Sequence, residues 1–185
     1  MSPLALVCHP ASARPPINRF TAHLAIQPAH RWRLHFALAG TIEELRLPDR
    51  APPCRVDGLW QHTCFEAFAR DADAGDAYYE FNFSPSGEWA AYRFDGYRRG
   101  MTPVTMDAPR IDVRSKGDRL DVEVEWTPPR ELSGTQQRIA ASLAAVIEAR
   151  DSRVSYWALR HVAPQPDFHQ RDSFILQLPA ASAPV

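Results

Sequence analysis

Short runs of alternating apolar and polar residues, each closed by a turn signal, constrain the fold of this chain more than any other feature. In residues 31–38 every second side chain is apolar, and residues 20–27, 78–83 and 119–126 show the same alternation. Period two is typical of a β-strand that buries one of its two faces. The 17 prolines are roughly twice the usual share of about 5%, and prolines end helices and lie at turns and strand ends. We therefore expect many short strands.

Two pairs of these runs are predicted to form β-hairpins. Residues 78–83 and 88–94 flank the tight-turn sequence SPSG, and residues 110–114 and 119–126 flank a turn around the sequence KGD. A last strand is expected at residues 173–178. Each hairpin places its two strands side by side and antiparallel.

Residues 136–150 allow two interpretations. Their alanine content and the helical spacing of their larger apolar residues favour a helix. With period two, Leu143, Ala145 and Ile147 share one face, which favours a strand that turns into a second strand at residues 154–161. The residues alone leave both interpretations open.

The regular spacing of short strands and turns predicts the fold class. We expect an all-β chain, folded as a two-sheet antiparallel β-sandwich that is jelly-roll-like and of immunoglobulin-like size, with roughly nine or ten strands. A chain of 185 residues fits one domain, so a single sandwich is expected over residues 1–185, with its ordered core at about residues 3–178.

Charge and cysteine content narrow the classes of partner. The chain has 21 basic and 22 acidic side chains, well mixed, whereas nucleic-acid binders show a clustered basic excess. Its three cysteines are odd in number and lack a CxxC pair, which argues against a disulfide framework or a zinc ribbon. No apolar run approaches a signal peptide or the roughly 18 residues of a membrane span. We expect a cytoplasmic protein that binds neither nucleic acid nor membrane.

Known catalytic and metal-binding patterns are weak in this sequence. No serine has the GxSxG context of a nucleophile elbow. Cys64 has His62 two residues away, a spacing that brings a thiol and an imidazole only loosely together on a strand. His161, Asp167 and His169 lie in a proline-rich loop without ligand spacing. We expect no bound metal, a buried structural Cys64, and a loop braced by Asp167 and His169.

Two carboxylates are the best candidates for chemistry. Glu66 and Glu80 are expected on adjacent strands, where they could serve as acid and base if they faced one pocket. The alternative, which we favour at this point, is that they pair with arginines on neighbouring strands, Arg93 or Arg160.

Aromatic and polar side chains alternate through the middle of the chain. Aromatic rings can hold the apolar faces of a sugar, while amide, carboxylate and guanidinium groups can hold its hydroxyls. We expect a pocket on the sheet face of Glu66, Glu80, Asn82 and Arg93. The predicted ligand-binding residues are Trp60, His62, Glu66, Glu80, Asn82, Trp89, Arg93, Trp157, Arg160 and His161.

The runs LWQHTCFEAFAR, YYEFNFSPSGEWAAYRFDGYRRGM, SYWALRH and PDFHQRDSFILQL resemble the bacterial DOMON-like proteins, which are related to family 9 carbohydrate-binding modules. The resemblance extends from about Pro3 to Leu178. It implies a β-sandwich and makes SLAAVIEA a strand that leads into SYWAL. It also implies a ligand class, sugars or haem. The residues that match the recurring motif of this branch are Trp60, Glu66, Asn82, Trp89 and Trp157.

Haem is implied by the resemblance because DOMON cytochromes hold it between a methionine and a histidine. The candidate ligands here are Met101, Met106, His161 and His169. The chain has no CxxCH attachment motif, and we expect no cofactor.

Our functional hypothesis is a non-catalytic domain that binds a small polar ligand, most simply a carbohydrate. Two alternatives stay open beside haem. One is a sugar-active enzyme that uses Glu66 or Glu80 as acid or base. The other is an interaction or dimerisation module that uses an exposed sheet edge or an aromatic patch. The sequence leaves the oligomeric state undetermined.

Overall fold

The structure is a computed structural model that describes residues 2–13, 15–132 and 138–178. These residues form thirteen strands and five short 3₁₀ turns, without an α-helix. The strands are β1 (Leu4–Ala5), β2 (Val7–Cys8), β3 (Ile17–Gln27), β4 (Arg31–Gly40), β5 (Cys64–Asp71), β6 (Tyr78–Phe83), β7 (Trp89–Phe94), β8 (Thr102–Pro103), β9 (Arg110–Lys116), β10 (Arg119–Trp126), β11 (Ile139–Glu148), β12 (Val154–Ala158) and β13 (Leu176–Leu178).

The strands form two antiparallel sheets that pack face to face. The smaller sheet has the order β1-β3-β4-β10-β9. The larger sheet has the order β2-β12-β11-β5-β6-β7-β8. Strand β13 also pairs with β11, on the same edge as β12 but with the first residues of β11, whereas β12 pairs with the last. Apolar side chains of both sheets fill the space between them, for example Phe36, Phe65 and Phe81, each fully buried. The predicted all-β antiparallel sandwich is confirmed.

Both predicted hairpins are present, as β6–β7 and β9–β10. The ambiguous segment forms strand β11 and then strand β12, while residues 136 and 137 lie outside the described residues. All ten residues of β11 are buried, since the strand lies between β5 and β12 and side chains pack against both of its faces. Small alanines suit such a doubly covered strand, so tertiary packing overrides their helical propensity. The predicted final strand is shorter, because Ser173 ends a 3₁₀ turn and only Leu176–Leu178 pairs with β11.

Residue parity divides the larger sheet into two faces. On β5, β6, β7, β11 and β12, odd-numbered side chains point into the sandwich and even-numbered side chains point to the outer face. The outer face has its own apolar cluster, in which Phe168 and Phe174 of the C-terminal segment pack over Phe68 and Tyr78. Burying one such ring contributes about 1.5–3 kcal/mol. The segment is therefore held against the sheet, and it covers only part of the outer face.

Candidate functional site

An open cavity of about 420 Å³ lies on the outer face of the larger sheet, beside the C-terminal segment. Glu66 on β5 and Glu80 on β6 form its floor. Alanines flank this floor, since Ala144 is the cross-strand neighbour of Glu66, and Ala90 is that of Asn82. These short side chains leave space above the sheet where larger residues would fill it. The cavity therefore follows from the residue pattern of four neighbouring strands.

The two carboxyl groups of the floor are buried together. Glu66 is 2% exposed and Glu80 is 5% exposed. Glu66 lies directly opposite Asn82, so Glu80 is its diagonal neighbour, at a typical separation of about 7 Å. Burial and then the negative charge of Glu80 raise the pKa of Glu66 well above its ordinary value. Burial also raises the pKa of Glu80 to about 7, although the Asn82 amide and the charge of Arg98 act in the opposite direction. Such a pair retains a proton near neutral pH.

Hydrogen bonds distinguish the two carboxyls. The Asn82 amide donates to Glu80 Oε1 at 2.7 Å, and the Cys64 thiol donates to Asn82 Oδ1 at 3.5 Å. Glu66 Oε1 is buried and has no hydrogen-bond partner among the described residues. A buried polar atom without a partner costs about 1–3 kcal/mol. Asn82 thus orients Glu80, while Glu66 keeps an oxygen that a ligand group can satisfy.

His169 closes one side of the cavity next to Glu80. Its Nε2 lies 3.8 Å from Glu80 Oε2, and its Nδ1 lies 2.7 Å from the Tyr78 hydroxyl. Because the Tyr78 oxygen already accepts the Arg98 backbone N–H, we assign its hydrogen to His169 Nδ1, which places the imidazole N–H on Nε2. Burial and the charge of Arg98 lower the pKa of His169 to about 4. The ring is therefore neutral at pH 7 and presents an N–H donor toward Glu80.

Asp167 fixes the loop that forms the upper side of the cavity. It accepts hydrogen bonds from the Tyr97 hydroxyl at 2.6 Å and the His169 backbone N–H at 3.0 Å, and it pairs with Arg98 at 3.0 Å. Burial alone would raise the pKa of Asp167, but these partners and Gln170 lower it overall. The expectation that Asp167 and His169 brace this loop is confirmed.

Aromatic rings form the sides of the cavity. Trp60 is 37% exposed and contacts Tyr92 edge-on, with ring centroids 5.8 Å apart. On the opposite side Tyr156 of β12 lies against Phe168, at 6.2 Å. Phe94 of β7 completes the lining near His169, at 5.3 Å. The cavity therefore combines apolar ring surfaces with a carboxyl floor.

The structure brings together only some of the ten predicted site residues. Trp60, Glu66 and Glu80 line the cavity, and Asn82 lies fully buried beside them. His62 lies apart, because its Nδ1 is bonded to Glu148 at 2.8 Å. The role of the predicted site residues in ligand binding stays a prediction.

The placement of Arg93 on the face of Glu80 is wrong, and Trp89 and Trp157, two further predicted ligand-binding residues, do not line the cavity. Trp89 pairs with Phe83 and Arg93 with Tyr79, so both point to the inner face, and Trp157 packs in the core. The reason is the length of the β6–β7 connection. Phe83 at the end of β6 pairs with Trp89 at the start of β7, so the connection has five residues, 84–88, rather than the four of SPSG. A shift of one residue in the pairing register moves every side chain of a strand to the other face of the sheet.

The favoured pairing of the carboxyls with arginines is also wrong. Arg93 pairs with Asp95, and Arg160 is exposed beyond the end of β12. No described arginine lies within ion-pair distance of Glu66 or Glu80, whereas both carboxyls line one cavity. His161 does not line this cavity either, since its Nε2 is bonded to the Val7 carbonyl at 2.8 Å. The physical reason is the alternation of faces, which sends Arg93 away from the floor.

Several lining residues were not predicted as ligand-binding. Phe94 could have been found from the hairpin register, because it shares the parity of Glu80 on the neighbouring strand. Tyr156 could have been found in the same way from its pairing with Val146. Arg98 and Phe168 come from segments without a period, so only the folded structure places them at the cavity.

Neither a metal ion nor haem fits this arrangement. Among the described residues, no three His, Cys, Asp or Glu side chains are grouped so that they could hold a metal. Met101 and His169 do line the cavity, as a haem site would require. However, both nitrogens of His169 face other side chains, Tyr78 and Glu80, and the floor carries two carboxyls where a haem macrocycle needs apolar contact. In the described part of the chain, no helix is both long enough and apolar enough for a membrane span.

Known structures share this fold. A candidate carbohydrate-binding protein from Bacteroides uniformis superposes with a TM-score of 0.65 at 12% identity, over 96% of this chain and 84% of that protein. A family 9 carbohydrate-binding module from Caldicellulosiruptor kristjanssonii, solved with glucose, gives a TM-score of 0.54 at 12% identity, over 98% of this chain and 86% of that chain. A family 9 module from the same organism, solved with cellotriose, gives a TM-score of 0.52 at 11% identity, over 98% of this chain and 84% of that chain. No protein-family model matches the sequence, and no curated protein matches it significantly.

Fold and site together define a class. The chain is a β-sandwich with the fold of family 9 carbohydrate-binding modules, and it has a ligand-sized cavity on the outer face of its larger sheet.

Proposed function

We propose that this protein binds a saccharide in the cavity of its larger sheet. The observation that carries the proposal is the pair of buried carboxyls, Glu66 and Glu80, at the floor of a cavity lined by aromatic rings. The fold adds support, because modules of the same architecture have been solved with glucose and cellotriose.

The polar groups of the floor match the needs of sugar hydroxyls. A hydroxyl both donates and accepts, and a carboxyl pair that retains one proton also does both. Glu66 Oε1 lacks a partner among the described residues, so a hydroxyl that donates to it would satisfy a buried acceptor. Glu80 is already oriented by Asn82, which reduces the cost of ordering it around a ligand.

The aromatic sides match the apolar faces of a sugar ring. Trp60 offers a partly exposed indole at one side, and Tyr156 and Phe168 offer rings at the other. The cavity volume of about 420 Å³ lies within the range of small-molecule sites, about 300–1,000 Å³. One to two sugar units are the expected occupant.

Calorimetric titration with glucose and cellotriose tests this proposal. We expect saturable binding at millimolar or lower concentration, and we expect Trp60→Ala to weaken it about tenfold, which corresponds to ~1.4 kcal/mol. Trp60 is partly exposed, so the variant should fold, and Ile175→Ala, an exposed apolar residue outside the cavity, is the control. An absence of binding by all saccharides at tens of millimolar would refute the proposal.

The carboxyl pair also favours a second candidate, hydrolysis of a glycosidic bond. Glycosidases place an acid with a raised pKa beside a second carboxyl, and Glu66 and Glu80 have this character. Chromogenic aryl glycosides are the assay. Turnover that Glu66→Gln and Glu80→Gln both abolish would establish catalysis, whereas binding without turnover establishes the non-catalytic module.

A further inference from the structure

A second pocket, of about 230 Å³, adjoins the saccharide cavity. His169 lines both, and the stacked rings of Tyr78 and Phe94, with centroids 4.8 Å apart, contribute one ring to each: Tyr78 lines the pocket and Phe94 lines the cavity. One loop contributes to both spaces, since Arg98 faces the cavity while Tyr97 and Arg99 face the pocket. The two spaces therefore have common boundaries.

Three arginines line this second pocket against a single carboxylate. They are Arg70, Arg99 and Arg171, and the carboxylate is Asp76, which pairs with Arg171 at 2.7 Å. We name this space the arginine pocket. Its lining carries an excess of positive charge, although the chain as a whole has a net charge of −1.

Two of these guanidinium groups lack a carboxylate partner. Arg70 is only 7% exposed, and its hydrogen bonds go to backbone carbonyls, among them Gly75 at 3.1 Å and Asp71 at 3.2 Å. No ion pair or hydrogen bond joins the Arg99 side chain to another residue in the described ranges. Burial and the charge of Arg171 lower the pKa of Arg70, although the nearby carboxylates of Asp76, Asp71 and Asp73 act in the opposite direction. Guanidinium groups that lie near each other and lack ion-pair partners of their own, as Arg70 and Arg99 do, favour the binding of an anion.

Guanidinium groups recognise oxyanions specifically. The planar fork of an arginine matches the geometry of a carboxylate or a phosphate, and such charge-assisted bonds are roughly twice as strong as neutral ones. Carbonyl bonds hold Arg70 in place, so it supplies a fixed positive charge, while the unengaged Arg99 supplies donors.

We propose that the arginine pocket binds an oxyanion carried by the saccharide in the adjoining cavity, so that the preferred ligand is an acidic sugar. This inference rests on the proposed function. The common His169 boundary and the common loop are the reasons for assigning both groups to one ligand, because the sugar ring and its acidic substituent then contact neighbouring spaces.

The test compares four probes by calorimetry at fixed low ionic strength: glucose, glucuronate, glucose 6-phosphate and inorganic phosphate. We expect at least one acidic sugar to bind tenfold or more tightly than glucose. Arg99→Ala should remove most of this advantage and leave glucose binding unchanged. Arg114→Ala, on the outer face of the smaller sheet, is the matched control and should change neither affinity.

The outcomes separate this inference from the proposed function. Equal affinity for glucose and both acidic sugars, with glucose bound, overturns the acidic ligand and retains the saccharide site. Arginine-dependent binding of inorganic phosphate without any gain for the acidic sugars also overturns it, since the pocket would then hold a separate anion. If no sugar binds at all, the proposed function fails, and the inference fails with it.

Discussion

The outer faces of the two sheets carry the same kinds of side chain in opposite electrostatic settings. On the smaller sheet, Glu123 of β10 pairs with Arg33 of β4 at 2.8 Å, and both are partly exposed. On the larger sheet, Glu66 and Glu80 are buried without a described arginine partner. The hydrogen bond from Arg33 lowers the pKa of Glu123, whereas burial raises the pKa of both cavity carboxyls.

This difference shows where function is to be expected in a sandwich of this kind. A cross-strand ladder of opposite charges satisfies itself in water and gains little from a ligand. A carboxyl that is buried at the floor of a cavity without an ion-pair partner destabilises the folded state. A ligand that hydrogen-bonds to it recovers part of this free-energy cost. The same residue type therefore indicates a solvated surface on one sheet and a binding site on the other.

The largest effect on saccharide affinity is expected from a new positive charge inside the cavity. Val146→Arg introduces a guanidinium at a lining position diagonal to Glu66, where it should pair with a carboxyl and occupy the cavity. We expect saccharide affinity to fall more than about 100-fold, or ~2.7 kcal/mol. Titration calorimetry measures the loss, and circular dichroism confirms that the variant is folded.

Ala37→Arg is the matched control for that variant. Ala37 lies opposite Asp121 on the smaller sheet, so a new arginine there joins the existing ladder. Unchanged affinity in Ala37→Arg is expected. Similar losses in both variants would remove the distinction between the two faces.

A second prediction concerns Glu80→Gln and pH. Because folding raises the pKa of Glu80 from its ordinary value of 4.5 to about 7, ionising it destabilises the folded state. The cost is absent below about pH 4.5, grows as the pH rises to about 7, and reaches roughly 3 kcal/mol above that pH. Glu80→Gln should therefore be as stable as the parent chain at pH 4 and more stable at pH 8, as measured by urea unfolding.

A third prediction concerns Asp167→Asn at the loop. The folded-state pKa of Asp167 is lowered, so its contribution is present at neutral pH and disappears as the pH falls through that folded pKa. We expect a loss of about 1–2 kcal/mol at pH 7, from weakened charge-assisted bonds, and no difference from the parent at low pH. Chemical denaturation at both pH values is the measurement. An equal loss at both would show that charge is irrelevant there.

The smallest effect is expected for Glu123→Gln. Solvent screens the exposed pair of Glu123 with Arg33, so we expect a loss of less than about 1 kcal/mol at pH 7 and unchanged saccharide affinity. Its pH dependence has the opposite sign to that of Glu80→Gln, since the pKa of Glu123 is lowered. Urea unfolding of the two variants in parallel checks the comparison, and slopes of the same sign would contradict it.

The sequence predicts the strands well because period two is a local signal. The run around Glu80 alternates clearly, and the predicted pocket face contains both Glu66 and Glu80, which the structure places on one outward face. The alanine-rich β11 needed the family resemblance, since a strand that is buried on both faces shows no alternation.

The rest of the site could not be derived locally. One extra residue in the β6–β7 connection decides whether Trp89 and Arg93 face the cavity or the core. Asp167 and His169 come from a segment without regular structure, and tertiary contacts alone bring them over the sheet. The lack of a counter-ion for Glu66 is likewise a property of the folded neighbourhood, which residue spacing does not encode.

Chemical-shift mapping of the isotopically labelled protein during a titration with cellotriose and an acidic sugar compares the two faces directly. We expect saturable shifts at Trp60, Glu66, Glu80 and His169, with the backbone resonances around Arg33 and Glu123 unchanged. Shifts centred on the ladder of the smaller sheet, or shifts at neither face with any saccharide, would contradict this expectation.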